Sequence, residues 1–460
     1  MSNSYVFGVK ELDDVLADTP YPGSMVVVAG HPGSGKTTLA STICYANTLK
    51  GHKCLYISFQ EPREKLYRTM KKLGIDLEEQ EKQNMLKYLW FPVVKGIEEI
   101  VEVIDRSIHD LKPSVIVVDS VNVLFTYVSD PDRRAWLQNY FYQLPRFIEC
   151  LSILVAELPF GEEKLSLGGI EFVADIILIL KHRISVDRLV RYMEIRKARG
   201  APIRMALFPF QIVEGRGLRI FVPPVLKEIT VPKKCYHFLS PVLTNVFEEV
   251  CSGEVILTIM SPYIDTLYPL ILVFDIAIAN NLKLLFMSYK YSVDELQNAI
   301  LKNMTRFGLS SNVIEEFCRK RIVFDAVNPY TFSLEELLMG KLDLVDSYKP
   351  DILTIHGLEM LKPIIDENPY RFFSLLANLI LYLKKMGVVT FLMLSDLSKE
   401  TTRMFAKLSD TIIRLLYIKK SDVIVPYIYL FKRGLDPKIY RVDVENYLKE
   451  FSKSISCNSK

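Results

Sequence analysis

Gly30-His31-Pro32-Gly33-Ser34-Gly35-Lys36-Thr37 constrains this chain more than any other stretch. It follows the apolar run Met25 to Ala29 and leads into Thr38-Leu39-Ala40-Ser41-Thr42-Ile43, so it reads as strand, glycine-rich loop and helix. Glycines there let backbone N–H groups turn toward phosphate oxygens, and the helix start adds its positive dipole end. Lys36 can reach the outer phosphates, the Thr37 hydroxyl can ligate Mg²⁺, and His31, Pro32, Ser34 and Thr38 complete the cradle. The pattern predicts a nucleotide site with Mg²⁺ over residues 30–38.

The 460 residues are 50% hydrophobic and 24% charged, which suits a globular chain of two domains, each with a full core. A net charge of +3 argues for neither nucleic acid nor an anionic membrane. Seven cysteines, Cys44, Cys54, Cys150, Cys235, Cys251, Cys318 and Cys457, are scattered with no C-x-x-C pair and no metal-ligand spacing, as a reducing cytoplasm would allow. The N-terminus lacks a basic region followed by an apolar core, and Lys283, Lys384 and Lys385 interrupt the richest apolar runs. The expectation is a cytoplasmic protein with neither a secretory signal nor a membrane span.

Val9, Leu12, Val15 and Leu16 mark a short lead-in helix before Pro20 and Pro22. Lys53 to Phe59 reads as a strand ending in Gln60-Glu61-Pro62. In an open parallel sheet the carboxyl ends of strands face the ligand, so Gln60 and Glu61 are expected to point toward the phosphates. Ser114 to Val118 is a β-branched run ending in Asp119, which reads either as a Mg²⁺ acid beside a phosphate loop or as a turn or cap. Leu151 to Ala156 ends at Glu157, either a water-orienting carboxylate or an ordinary strand end. Ile176 to Leu180, Arg191 to Ile195 and Phe210 to Val213 are spaced as an antiparallel extension. Between the last two lies Arg196-Lys197-Ala198-Arg199-Gly200, a basic cluster that by itself reads as a solvated face.

Together these residues make the first half similar to a KaiC-type ATPase of the RecA superfamily. The resemblance covers about residues 5 to 222. It rests on the phosphate loop, Ser58-Phe59-Gln60-Glu61-Pro62, the Asp119-Ser120 strand, Glu171 to Leu178, and Lys197-Ala198-Arg199-Gly200 followed by Phe208-Pro209-Phe210. It implies ring assembly, usually of six subunits, with ATP between neighbours. It also implies that Lys197 and Arg199 reach the terminal phosphate held by the next subunit, the arginine-finger role. One position departs from the family, which carries two adjacent glutamates after the strand's aromatic residue; here the first is Gln60. A glutamine can orient a water but cannot accept its proton, so slow hydrolysis is expected unless Glu61 substitutes.

Residues 223–240, with Pro223, Pro224 and Pro232, read as a linker, and 241–460 repeat the feature order of 1–222. Gly253 to Ile259 mirrors Gly23 to Ala29, which puts Met260 to Leu267 in the place of the phosphate loop. There Met260, Tyr263 and Asp265 replace glycines, Thr266 the lysine and Leu267 the Mg²⁺ hydroxyl, so ATP is not expected in the second half. His356 stands where Asp119 stands in the first half and, with no partner ligand nearby in sequence, reads as structural. Phe431-Lys432-Arg433-Gly434 keeps the arginine and glycine of the basic loop but not its lysine. Ala406 and Lys407 occupy the positions where the circadian KaiC proteins carry acceptor hydroxyls.

The expected architecture is α/β: two tandem RecA-like P-loop domains, each a mostly parallel twisted sheet flanked by helices with an antiparallel extension, the second degenerate. The expected activity is slow Mg²⁺-dependent hydrolysis of ATP to ADP in a homo-oligomeric ring whose second domain carries a regulatory protein partner. A DNA-handling ATPase is the first alternative, but Lys164-Leu165 with Gly168-Gly169 supplies too little charge for a strand-binding surface. The second is a nucleotide-occupancy switch with negligible turnover, which Gln60 supports.

Overall fold

Continuous apolar runs form the centre of each half of the chain. The computed structural model describes residues 5–441 except 93–95, 129, 160–168, 186–187, 204, 223–233, 262–266, 307–310, 396 and 421–422. The chain divides into two compact units, Met1–Val222 and Pro223–Lys460. Both are α/β, with a largely parallel sheet flanked by helices, the arrangement of tandem RecA-like domains.

The strands of the first unit are β1 (Met25–Gly30), β2 (Cys54–Ser58), β3 (Leu86–Trp90), β4 (Val115–Asp119), β5 (Leu151–Glu157), β6 (Ile176–Ser185), β7 (Arg188–Ala198), β8 (Leu207–Val213) and β9 (Gly217–Ile220). They lie in the order β3-β2-β4-β5-β1-β6-β7-β8-β9. The six strands from β3 to β6 run parallel, and β7 to β9 extend the sheet antiparallel. Every residue of β1, β2 and β4 is buried. Helices cover both faces, so alternate residues serve two cores: Val26, Val28, Tyr56 and Val117 on one side, Val27, Ile57 and Val118 on the other.

The second unit opens with a two-stranded ribbon of β10 (Cys235–Tyr236) and β11 (Val250–Cys251). Its main sheet holds β12 (Val255–Met260), β13 (Leu284–Ser288), β14 (Ile322–Ala326), β15 (Ile352–His356), β16 (Val389–Ser395), β17 (Thr411–Lys420), β18 (Val423–Lys432) and β19 (Lys438–Arg441). The order β14-β13-β15-β16-β12-β17-β18-β19 repeats that of the first sheet strand for strand, without a ninth among the described residues. Detail repeats as well. Asp175 accepts a hydrogen bond from Met25 N at 3.0 Å, and Asp410 accepts one from Val255 N at 3.0 Å, each tying the start of one strand to the start of its parallel neighbour.

Within the stretch read as a linker, residues 223–233 lie outside the described residues, while β10 follows directly. Tyr236 and Phe238 are buried in the core of the second unit. The prolines signalled a connection, but the aromatics after them pack. Cys235 and Cys251 stand opposite each other and are disulfide-bonded across 16 residues. Nothing in their spacing announces the pair, because it forms only when β10 meets β11. Closing a loop of that length stabilises a fold by about 3 kcal/mol in the chain-entropy picture. Dithiothreitol is therefore expected to lower the melting temperature of the second unit, and Cys235→Ser to abolish the difference between reduced and oxidised protein in differential scanning fluorimetry.

Candidate nucleotide-binding site

The loop after β1 owes its shape to glycines that nothing larger can replace. A Cβ on Gly30 would lie 2.2 Å from the Leu180 carbonyl oxygen and 2.7 Å from Ser34 Oγ, so β1 and β6 approach only because it is absent. Gly35 has φ +103° and precedes the helix Lys36–Leu49, a backbone region costly for any side chain. Lys36 Nζ donates to the His31 carbonyl across the loop at 3.0 Å. Burial lowers the Lys36 pKa, opposed by the charges of Glu157 and Asp119. Ser34 Oγ is buried without a protein partner among the described residues.

Parallel pairing places four strand ends beside that loop. Ser58 pairs with Asp119, Asp119 with Val155, and Gly30 with Glu157. Asp119 is 5% exposed and accepts a hydrogen bond from Tyr56 Oη at 3.0 Å. Burial pushes its carboxyl pKa up, while hydrogen bonds from Thr37 and Tyr56 and the charge of Lys36 oppose the rise. Gln60 Nε2 donates to Ser120 Oγ at 3.2 Å and to Glu157 Oε1. Asn122, which its sequence position gave no reason to single out, holds the Glu157 backbone on both sides. Its Oδ1 accepts from Glu157 N at 2.7 Å, and its Nδ2 donates to Glu157 O at 3.3 Å. The Glu61 carboxylate, just before the helix Arg63–Lys72, instead pairs with Lys65 Nζ at 2.8 Å in the first turn of that helix. Of the two residues after Phe59, Gln60 is the one that reaches into the row of strand ends.

Lys197 and Arg199 lie at the opposite end of the parallel strands from the loop. Ile177 pairs with Lys197, Ile176 pairs with Val26, and the loop lies beyond Gly30. That is the length of β1 away, roughly 3.3 Å per residue. Arg199 Nη1 contacts Asp175 Oδ1 at 3.3 Å, and both side chains donate to the Phe172 carbonyl, Lys197 at 3.3 Å and Arg199 at 2.8 Å. The second unit repeats the arginine contact: Arg433 Nη1 lies 3.6 Å from Asp410 Oδ1. Of the stretch weighed as a DNA-binding loop, residues 164–168 lie outside the described residues, and Gly169 precedes the short helix Ile170–Val173.

In the second unit the counterparts have different chemistry. Residues 262–266 of the loop counterpart lie outside the described residues. His356 ends β15, is 2% exposed, stacks on Tyr291 at 5.5 Å and has Nδ1 3.3 Å from Ser288 Oγ. Burial pushes its pKa down to about 4 from an ordinary 6.5. The unfolded chain therefore takes up this proton first as pH falls. Stability contributed by neutral His356 is complete above pH 6.5 and lost as pH drops toward 4. The loss is expected at about 1.4 kcal/mol per pH unit. Urea unfolding at pH 7 and pH 5 should show it in wild type, and His356→Gln should flatten it.

Among the described residues no helix is long and apolar enough to cross a membrane. A family model described as "ATPase: KaiC" matches residues 6–225. Circadian clock protein KaiC3 of Synechocystis sp. is 24% identical over 392 residues, 80% of this chain and 75% of that protein. Circadian clock oscillator protein KaiC of Parathermosynechococcus lividus is 27% identical over 204 residues, 42% of this chain and 36% of that protein. The protein of the same name from Synechococcus elongatus is 27% identical over 207 residues, 45% of this chain and 40% of that protein. Against the oscillator proteins the matched stretch spans well under half of their length. A phosphate loop on a RecA-like sheet and a family match over that same unit agree: the unit Met1–Val222 resembles the KaiC ATPases of the RecA superfamily over nearly all of its length.

Proposed function

We propose that the first unit binds Mg·ATP and hydrolyses it slowly, and that the chain works as a nucleotide-dependent oligomer whose second unit is a scaffold or partner platform. The observation that carries this reading is the Gln60 side chain held between Ser120 and Glu157, with the charges of Glu157 and Asp119 acting on Lys36. The loop fits a triphosphate: its glycines clear the backbone, and Ser34 Oγ and Lys36 Nζ are donors with no acidic partner in hydrogen-bond contact among the described residues. Thr37 and Asp119 fit Mg²⁺ through oxygen ligands, Asp119 by way of water. When bound, Mg²⁺ neutralises charge on the outer phosphates. Lys36 neutralises more of it from the protein side. Gln60 orients a water, and Glu157 is the carboxylate that accepts a hydrogen bond from the Gln60 amide.

The trans role assigned to Lys197 and Arg199 divides between them on this reading. Arg433 retains the arginine's contact with the strand-start aspartate in a unit lacking the phosphate-loop pattern, which supports a latch role for Arg199. Lys197 has no lysine counterpart, since Phe431 stands there, and is the better candidate to reach a neighbour's phosphate. Light scattering and bound-nucleotide analysis, with and without Mg·ATP, test the assembly. Protein that binds no nucleotide would overturn the reading. Lys197→Ala protein that assembles and hydrolyses at the wild-type rate would remove the trans role. A nucleotide-occupancy switch is the second reading, favoured by Gln60 alone; ATP binding and assembly with no phosphate release would select it.

A further inference from the structure

Tyr56 is a buried tyrosine at the centre of β2, and its hydroxyl is committed to one acid. It donates to Asp119 Oδ2 at 3.0 Å and lies 3.5 Å from Ser41 Oγ, on the helix that also carries Thr37. The ring is held by a stack on Tyr88, centroids 5.3 Å apart and planes at 20°. A hydroxyl in such a core costs stability unless it is hydrogen-bonded, and a phenylalanine would fill the same space.

The second unit supplies the comparison. Tyr56 pairs with Tyr88 in the first sheet, and Phe286 pairs with Phe324 at the same place in the second. Ser58 pairs with Asp119, and Ser288 pairs with His356. Phe286 thus occupies the position of Tyr56, with its ring 6.2 Å from His356 instead of a hydroxyl on a carboxylate. The ring pair persists as Phe286 and Phe324, 6.0 Å apart. What the second unit lacks is the hydroxyl, and it lacks it where the acid is also missing. Packing therefore explains the ring and leaves the hydroxyl to the acid.

We propose that Tyr56 is a positioning residue for the metal acid: its hydroxyl occupies one carboxylate oxygen of Asp119, so that the other meets the hydrated Mg²⁺ of bound Mg·ATP. The proposal rests on the reading of Asp119 as the metal acid. Partners of this kind orient a ligand they do not themselves replace, and their loss costs roughly 10- to 100-fold in metal affinity.

The test is a Mg²⁺ titration of full-length Tyr56→Phe bound to a fluorescent ATP analogue, with Mn²⁺ binding by electron paramagnetic resonance as the second readout. Metal-free nucleotide affinity should stay at the wild-type value, while half-saturating Mg²⁺ and Mn²⁺ rise at least tenfold. Added to Asp119→Asn, the same substitution should shift nothing further, because it acts through that carboxylate. A folded Tyr56→Phe protein with unchanged metal dependence overturns the proposal. So does an additive effect in the double variant, or a Tyr56→Phe chain that fails to fold, since the hydroxyl would then be structural. If wild-type nucleotide binding shows no metal dependence, the reading of Asp119 fails first and takes this one with it.

Discussion

Lys36→Ala is expected to weaken ATP binding by at least about 100-fold, equivalent to roughly 2.7 kcal/mol, and to leave the fold intact. The residue is 8% exposed, and its amine reaches only the His31 carbonyl among its described hydrogen bonds. Without ligand, burial disfavours its charge, shown in a lowered pKa that Glu157 and Asp119 only partly restore. A triphosphate would reverse that balance by bringing several negative charges to a desolvated amine. Alanine removes this attraction and relieves the free protein of a buried cation, and it is a good helix former at the first position of Lys36–Leu49. Isothermal titration with ATP should therefore show the loss while thermal unfolding without ligand stays level or rises. Equal ATP affinity in the two proteins would place the nucleotide elsewhere.

Gln60→Glu is expected to raise turnover by about 10²-fold, the lower range for adding a general base. In the wild type the Gln60 amide lies between Ser120 Oγ and the Glu157 carboxylate and can orient a water but not take its proton. A carboxylate there would sit against Glu157. Like charges at that range raise one of the two pKa values, which brings a base toward neutral pH. Steady-state phosphate release should rise, and its pH profile should gain a limb that wild type lacks. Glu157→Gln should reduce wild-type turnover and Glu61→Gln leave it nearly unchanged, since the Glu61 carboxylate is engaged by Lys65. Loss of turnover in Glu61→Gln alone would return the base to Glu61.

The phosphate loop, the strand ending at Asp119 and the repeat of the second half were legible because each is a local pattern. A glycine-rich turn after an apolar run reads as strand, loop and helix wherever the chain takes it. The disulfide of Cys235 with Cys251 was not legible, because its halves meet only through strand pairing. Nor was the role of Asn122, whose side chain matters only because β5 ends beside it.

The linear chain by itself determined that this protein has a phosphate loop on an α/β sheet, an acid at the end of a neighbouring strand, and a second half without that loop. Those properties depend on residue type at short spacing. Only the tertiary structure decided which groups share the site. Tyr56 reaches Asp119 across 63 residues, and Gln60 reaches Glu157 across 97. Parallel strands are joined through helices, so residues that touch at the strand ends are far apart in sequence and no local pattern records their meeting. The same geometry turned Glu61 toward Lys65 and left Gln60 facing Glu157.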